Sequence, residues 1–109
     1  MIEPFAPHAF VLVNLVNPKE KFWGMLESLS PVGVTLRGIN LDSFDDWIRQ
    51  LQKDDERTLD LVTMFVPLFR VERIFLDEPV GLVKSYCQQL EERIGIPAAE
   101  YLRIDREVQ

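Results

Sequence analysis

Two proline-marked reversals, set between apolar runs near the N-terminal end, constrain this chain most. The first run, "FVLVNLV" at 10–16, is rich in β-branched residues and has one polar interruption. Apolar side chains on both faces of a strand point to a segment buried on both sides. The run stops at "NPKE", where Asn17 suits the first corner of a type I turn and Pro18 presets φ for the second. The chain then returns antiparallel, with Phe22, Gly24 and Leu26 on one face and Trp23 and Met25 on the other. At "SPVG", 30–33, Pro31 takes the second turn position and Gly33 the left-handed conformation that closes such a hairpin. The third strand, "VTLRGI", sets Val34 and Leu36 on one face and Thr35 and Arg37 on the other. Residues 10–39 therefore read as a three-stranded meander.

At residue 43 the hydrophobic period changes. Ser43 followed three positions later by Asp46 resembles a capping box, and Phe44, Trp47, Ile48 and Leu51 recur at helical spacing. The spacing predicts a helix over 43–51, followed by a polar, mobile loop at 52–60, "QKDDERTLD". "LVTMFVPLFRVERIFLDE" returns to strand character, and Pro67, which cannot donate to a ladder, splits it into strands at about 61–66 and 70–76. A last helix is predicted over 80–94, with Val83, Tyr86, Cys87, Leu90 and Ile94 on one face. Gly95 serves as its stop and Pro97 blocks continuation, while "PAAEYL" adds a short helical turn before a charged tail. The expected fold is mainly β with helical additions, one domain over 1–109. It is a small five-stranded bent barrel at 10–76, with a helix inserted between strands three and four and a C-terminal helix. Leu12, Leu26, Val34, Leu36 and Ile74 are its expected interior.

With 109 residues the chain is long enough to bury one core without staples. Its net charge of −6 disfavours, without forbidding, a nucleic-acid partner, because phosphate binding calls for a basic face. No apolar run approaches the roughly 18 residues of a membrane helix. The start "MIEPFAPHAF" lacks the regions of a secretory signal. Cys87 stands alone, so no internal disulfide is possible, and the composition suits a reducing cytoplasm.

The stretch "WGMLESLSPVGVTLRGI" resembles the first motif of the Sm-like family: a glycine, a leucine two residues on, a short turn and an apolar return strand. Gly24 and Leu26 match the opening and Val34 and Leu36 the return, with 61–76 in the place of the second motif. The resemblance implies a five-stranded bent barrel that assembles into rings through edge strands and often binds single-stranded RNA. The residues departing from the pattern are those that would hold RNA. "SPVG" stands where the family carries an aspartate and an asparagine, "PLFRVERI" replaces an Arg-Gly pair, and the Lys-His signature of the bacterial version is missing.

Chemistry-bearing residues are sparse. His8 is the sole histidine, and a single cysteine gives no zinc-ligand spacing. Asp42, Asp45 and Asp46 suit a helix N-terminus better than a metal cluster. No phosphate loop, nucleophile elbow or cofactor fingerprint is present, so neither catalysis nor a cofactor is expected. Trp23 and Trp47 read as core or as interface anchors, since tryptophan and arginine concentrate at hot spots. Arg37, Arg70 and Arg73 on strand segments make a basic strip or surface pairs with Glu72 and Glu27. Thr63 marks the middle of "LVTMFV", a charge-free strand whose open edge invites pairing with another copy or a protein partner.

Overall fold

The β-branched runs pair into one antiparallel sheet: β1 (Phe10–Leu15), β2 (Glu20–Ser30), β3 (Gly33–Asn40), β4 (Val62–Pro67) and β5 (Val71–Leu76), in the order β4-β3-β2-β1-β5. Helix α1 (Phe44–Lys53) is inserted between β3 and β4, and α2 (Tyr86–Ile94) and α3 (Ala98–Val108) follow β5. This is the mainly β architecture with helical additions that the periodicity predicts. The computed structural model describes residues 4–53 and 58–108, with side chains as far as Arg103; the acidic stretch Asp54, Asp55 and Glu56 lies outside the described residues. The sheet is bent but not closed: among the described residues β4 and β5 remain its two edges. A 3-10 turn at Leu68–Arg70 stands between them, and Pro67 has no N–H with which to extend the ladder.

Each face of the bent sheet carries its own core. Val11, Val13, Leu15, Leu26, Val34, Leu36 and Val66 fill the inner, concave side, with Phe22, Met64 and Ile74 packed against them. Trp23, Met25 and Ile39 project to the outer side and meet Phe44, Trp47 and Ile48 of α1, Leu90 of α2 and Ala98 and Leu102 of α3. The alternation of β2 is as the sequence predicts, with Phe22 and Leu26 inward and Trp23 and Met25 outward. Leu12 corrects the expected interior: it packs under the helices, because Val11 and Val13 take the inward positions of β1.

Glycine permits the close approach at the bend. Gly24 pairs with Gly38 across β2 and β3. A Cβ on Gly24 would lie under 3.0 Å from the Arg37 carbonyl oxygen and the Gly38 Cα, and one on Gly38 equally close to the Trp23 carbonyl. These contacts are with backbone, which cannot rotate away. Gly33 is not left-handed as expected; it is needed because a Cβ there would meet the Phe65 ring and the Val66 carbonyl. At "NPKE", Asn17 is left-handed, with φ +55°, and the Asn17–Pro18 bond is cis. The register of β2 on β3 slips between Leu26 and Ser28, inserting Glu27 as a bulge.

Helix α1 buries Phe44, Trp47 and Ile48, as its spacing predicts. Its entry differs: the Asn40 side chain, not Ser43, caps a preceding 3-10 turn at Leu41–Ser43 by accepting from the Asp42 N–H. Helix α2 begins at Tyr86 rather than at 80. Ser85 and Gln88 form a reciprocal capping box. Val80 and Val83 instead bond to each other around Gly81, whose φ of +58° breaks any helix there. Gly95 ends α2 in the left-handed conformation, as expected. Beyond Pro97 the predicted short turn is an eleven-residue helix, α3, whose first turn is capped by Glu91 accepting from the Ala98 N–H.

Candidate functional site

The outer core is an aromatic layer hung on one carboxylate. Phe10 stacks on Trp23 with centroids 5.6 Å apart, and Trp23 meets Phe44 at 5.4 Å and Trp47 at 6.0 Å. Phe44 touches Tyr86 edge-on at 5.0 Å, and Trp47 touches Tyr101 at 5.8 Å, so one layer joins β1, β2 and all three helices. Asp77, the residue after β5, accepts from Trp23 Nε1 at 3.0 Å and from the backbone N–H groups of Tyr86 and Cys87 at 2.8 Å each. With Ser85 Oγ accepting from the Gln88 N–H at 3.1 Å, the first turn of α2 is satisfied, and the carboxylate also favours the positive end of the helix. The sequence reading missed Asp77: its partners lie up to 54 residues away, and its only local signal is a position between strand and helix.

The proposed interface tryptophans lie inside this layer. Trp23 and Trp47 are both fully buried and present no surface. Among the described residues Trp47 Nε1 has no hydrogen-bond partner, unlike Trp23 Nε1. Cys87 packs at the rim of the layer, where burial and then the neighbouring Asp77 carboxylate push its thiol far up from the ordinary range. A thiol so raised stays protonated and is a poor nucleophile.

The three arginines do not form one strip. Arg37 is buried on β3 with Nη1 3.4 Å from Thr63 Oγ1. Arg70 braces the β1–β2 turn, donating from Nε to the Val16 carbonyl at 3.0 Å and from Nη2 to the Pro18 carbonyl and to Glu20 Oε1. Arg73 lies exposed on β5 beside Glu72, over the Phe75 ring. Strands β2 and β1 separate Arg37 from Arg73. Asp45 and Asp46 pair with Arg93 and Arg49, and among the described residues no group of three His, Cys, Asp or Glu side chains is placed to hold a metal. An open cleft of about 550 Å³ at the β1–β2 turn mixes Lys19 and Lys21 with Glu20, Asp42 and Glu72, a lining without a nucleophile or a histidine.

Thr63 sits on the edge strand β4, as expected, and its strand carries exposed apolar side chains. Val62 and Phe65 are 52% and 56% exposed, and no charged residue occurs from Leu61 to Phe69. The helices stop short of this edge: on the outer face they cover Leu61 but leave Thr63 and Phe65 uncovered. The apolar surface continues onto the 3-10 turn, where Phe69 is 83% exposed, and onto Val32, whose carbonyl accepts from the Leu68 N–H at 3.0 Å. No helix of the described residues is long and apolar enough to cross a membrane. No protein-family model, curated protein or solved structure matches the chain.

Proposed function

We propose that this chain is a non-enzymatic small bent-sheet module, rather than the closed barrel expected, that self-assembles, or takes a protein partner, through an open sheet edge. The observation that carries this reading is β4, an edge strand with exposed apolar side chains, no charge and no covering helix. Monomeric proteins blunt such edges with charge, proline or a covering element, and here only the terminal Pro67 does so. The adjoining exposed side chains of Val32, Leu68 and Phe69 extend the surface, and contiguous apolar patches of this kind mark interaction sites. The Sm-like resemblance supports the same use of the edge. Its other implication, single-stranded RNA binding, has less support, because Arg37 is buried and Arg70 is spent on the β1–β2 turn.

Light scattering of the full chain at micromolar concentration tests the reading. An assembly is expected, and a mass near 12.7 kDa with no protein partner captured would overturn it. Fluorescence anisotropy with uridine-rich and adenine-rich oligomers tests the alternative. Binding is expected to be weak at physiological salt. Submicromolar, salt-sensitive affinity lost in Arg70→Ala would favour RNA instead.

A further inference from the structure

The two edges of the sheet are not equivalent, and their backbone directions can be read from the close glycine contacts. A Cβ on Gly24 would meet the Arg37 carbonyl oxygen, so Arg37 turns its backbone groups toward β2. A Cβ on Gly33 would meet the Val66 carbonyl oxygen, so Val66 turns its groups toward β3. In an antiparallel ladder successive residues point alternately to the two sides. Val62, Met64 and Val66, opposite Gly38, Leu36 and Val34, therefore bond inward to β3. Thr63 and Phe65 turn their N–H and C=O groups outward, away from the sheet. The flanking positions offer no free donor: the Leu61 N–H donates to Asp60 Oδ1 at 2.8 Å, and Pro67 has no N–H. At the opposite edge, β5 is protected. Its register slips between Asn14 and Leu15 of β1, leaving Glu72 as a bulge, and the exposed Glu72–Arg73 pair adds charge.

We propose that β4 pairs antiparallel with β4 of a second copy of this chain, about a two-fold axis at Met64; the proposal deepens the edge-assembly reading above and rests on it. In this register Thr63 of each copy exchanges both backbone hydrogen bonds with Phe65 of the other. That register satisfies every outward group of the two residues and asks no donor of Pro67. It is isologous, so the assembly closes at two copies and the sheet runs continuously across the dimer. The occupant is a second copy for two reasons. The pattern of outward donors and acceptors is self-complementary about Met64, and a chain of net charge −6 meets itself with least repulsion along its charge-free edge. On the outer face the half-exposed Phe65 ring covers Thr63 of the other copy, and on the inner face Met64 meets Met64 and Val62 meets Val66.

The test combines mass with single-cysteine crosslinking on the full chain carrying Cys87→Ala. Light scattering is expected to give about twice 12.7 kDa. Under mild oxidation Met64→Cys crosslinks to a covalent dimer, because directly opposed Cβ atoms of a non-hydrogen-bonded pair come within about 4.5–5.5 Å, near disulfide range. Thr63→Cys alone crosslinks at least several-fold less, while an equimolar mixture of Thr63→Cys and Phe65→Cys crosslinks across the pair. Phe65→Lys, which adds an edge charge and leaves the inward ladder intact, returns the mass to 12.7 kDa. Thr63→Pro, which removes an outward donor, does the same where circular dichroism shows it still folded. A monomer at all concentrations overturns both this inference and the self-assembly half of the proposed function. A dimer or larger ring in which Met64→Cys fails to crosslink, or in which Phe65→Lys leaves the mass unchanged, overturns the β4–β4 pairing while leaving assembly through another surface intact.

Discussion

The two faces of the sheet are built by different means. The inner face is mostly aliphatic, its buried members valine and leucine from four strands, with Phe22, Met64 and Ile74 packed against them. The outer face is aromatic and draws together residues from β1, β2 and all three helices, with a carboxylate at its rim aligning a strand, a tryptophan and a helix terminus. Aliphatic side chains are non-directional, so the inner face follows from strand alternation and curvature. Indole and backbone N–H groups are directional and costly to bury unpaired. The outer face therefore depends on a few specific partners, and its helices sit where those partners allow.

The largest expected effect probes packing. Leu26→Ala on the inner face, fully buried, is expected to cost roughly 2–5 kcal/mol in a denaturant titration. Leu12→Ala, half-buried on the outer face, is expected to cost about 1 kcal/mol in proportion to its lesser burial. Equal losses would mean that the two faces do not differ in the way their burial implies.

Next comes the carboxylate. Asp77→Ala is expected to cost roughly 2–3 kcal/mol, because bonds to a charged acceptor contribute about 1.5–3 kcal/mol and the orphaned N–H groups stay near the core. Hydrogen exchange locates the loss. The amides of α2 are expected to lose protection while those of β2 and β3 keep theirs, and uniform loss would deny Asp77 its role as the joint.

A tryptophan comparison sharpens the point within the outer face. Trp23→Phe removes a donor bonded to Asp77, whereas Trp47→Phe removes a buried donor with no partner among the described residues. Similar volume is lost in each, so Trp47→Phe is expected to be milder by about 1 kcal/mol. A Trp47→Phe variant less stable than Trp23→Phe would place a hidden partner on Trp47 Nε1. The smallest effect concerns reactivity. Cys87, with its thiol pushed up by burial and Asp77, is expected to react with a thiol reagent more slowly in the native protein than in urea. The rate should rise in Asp77→Ala as the start of α2 loosens.

The sequence by itself determined the elements whose signals are local. Alternation named the faces of β2 and β3, the i, i+3, i+4 stripe named the buried side of α1, and Pro67 marked the break between β4 and β5. The start of α2 was also local, since Ser85 and Gln88 spell a capping box, but the apolar residues of Val80–Val83 read as another helical turn. Thr63 and its charge-free strand were legible for the same reason: edge hazard is a matter of composition. What remained was decided by residues distant in sequence. A strand with apolar residues on both faces cannot say which face curves inward, so the side taken by Leu12 had to wait for the sheet to bend. Tryptophans at 23 and 47 look equally able to anchor a partner or fill a core, and only the convergence of three helices on β2 buried both. Asp77 has no distinguishing neighbours in the chain; its meaning comes from Trp23 and the first turn of α2 meeting it in space, because directional hydrogen bonds are specified by geometry and not by periodicity.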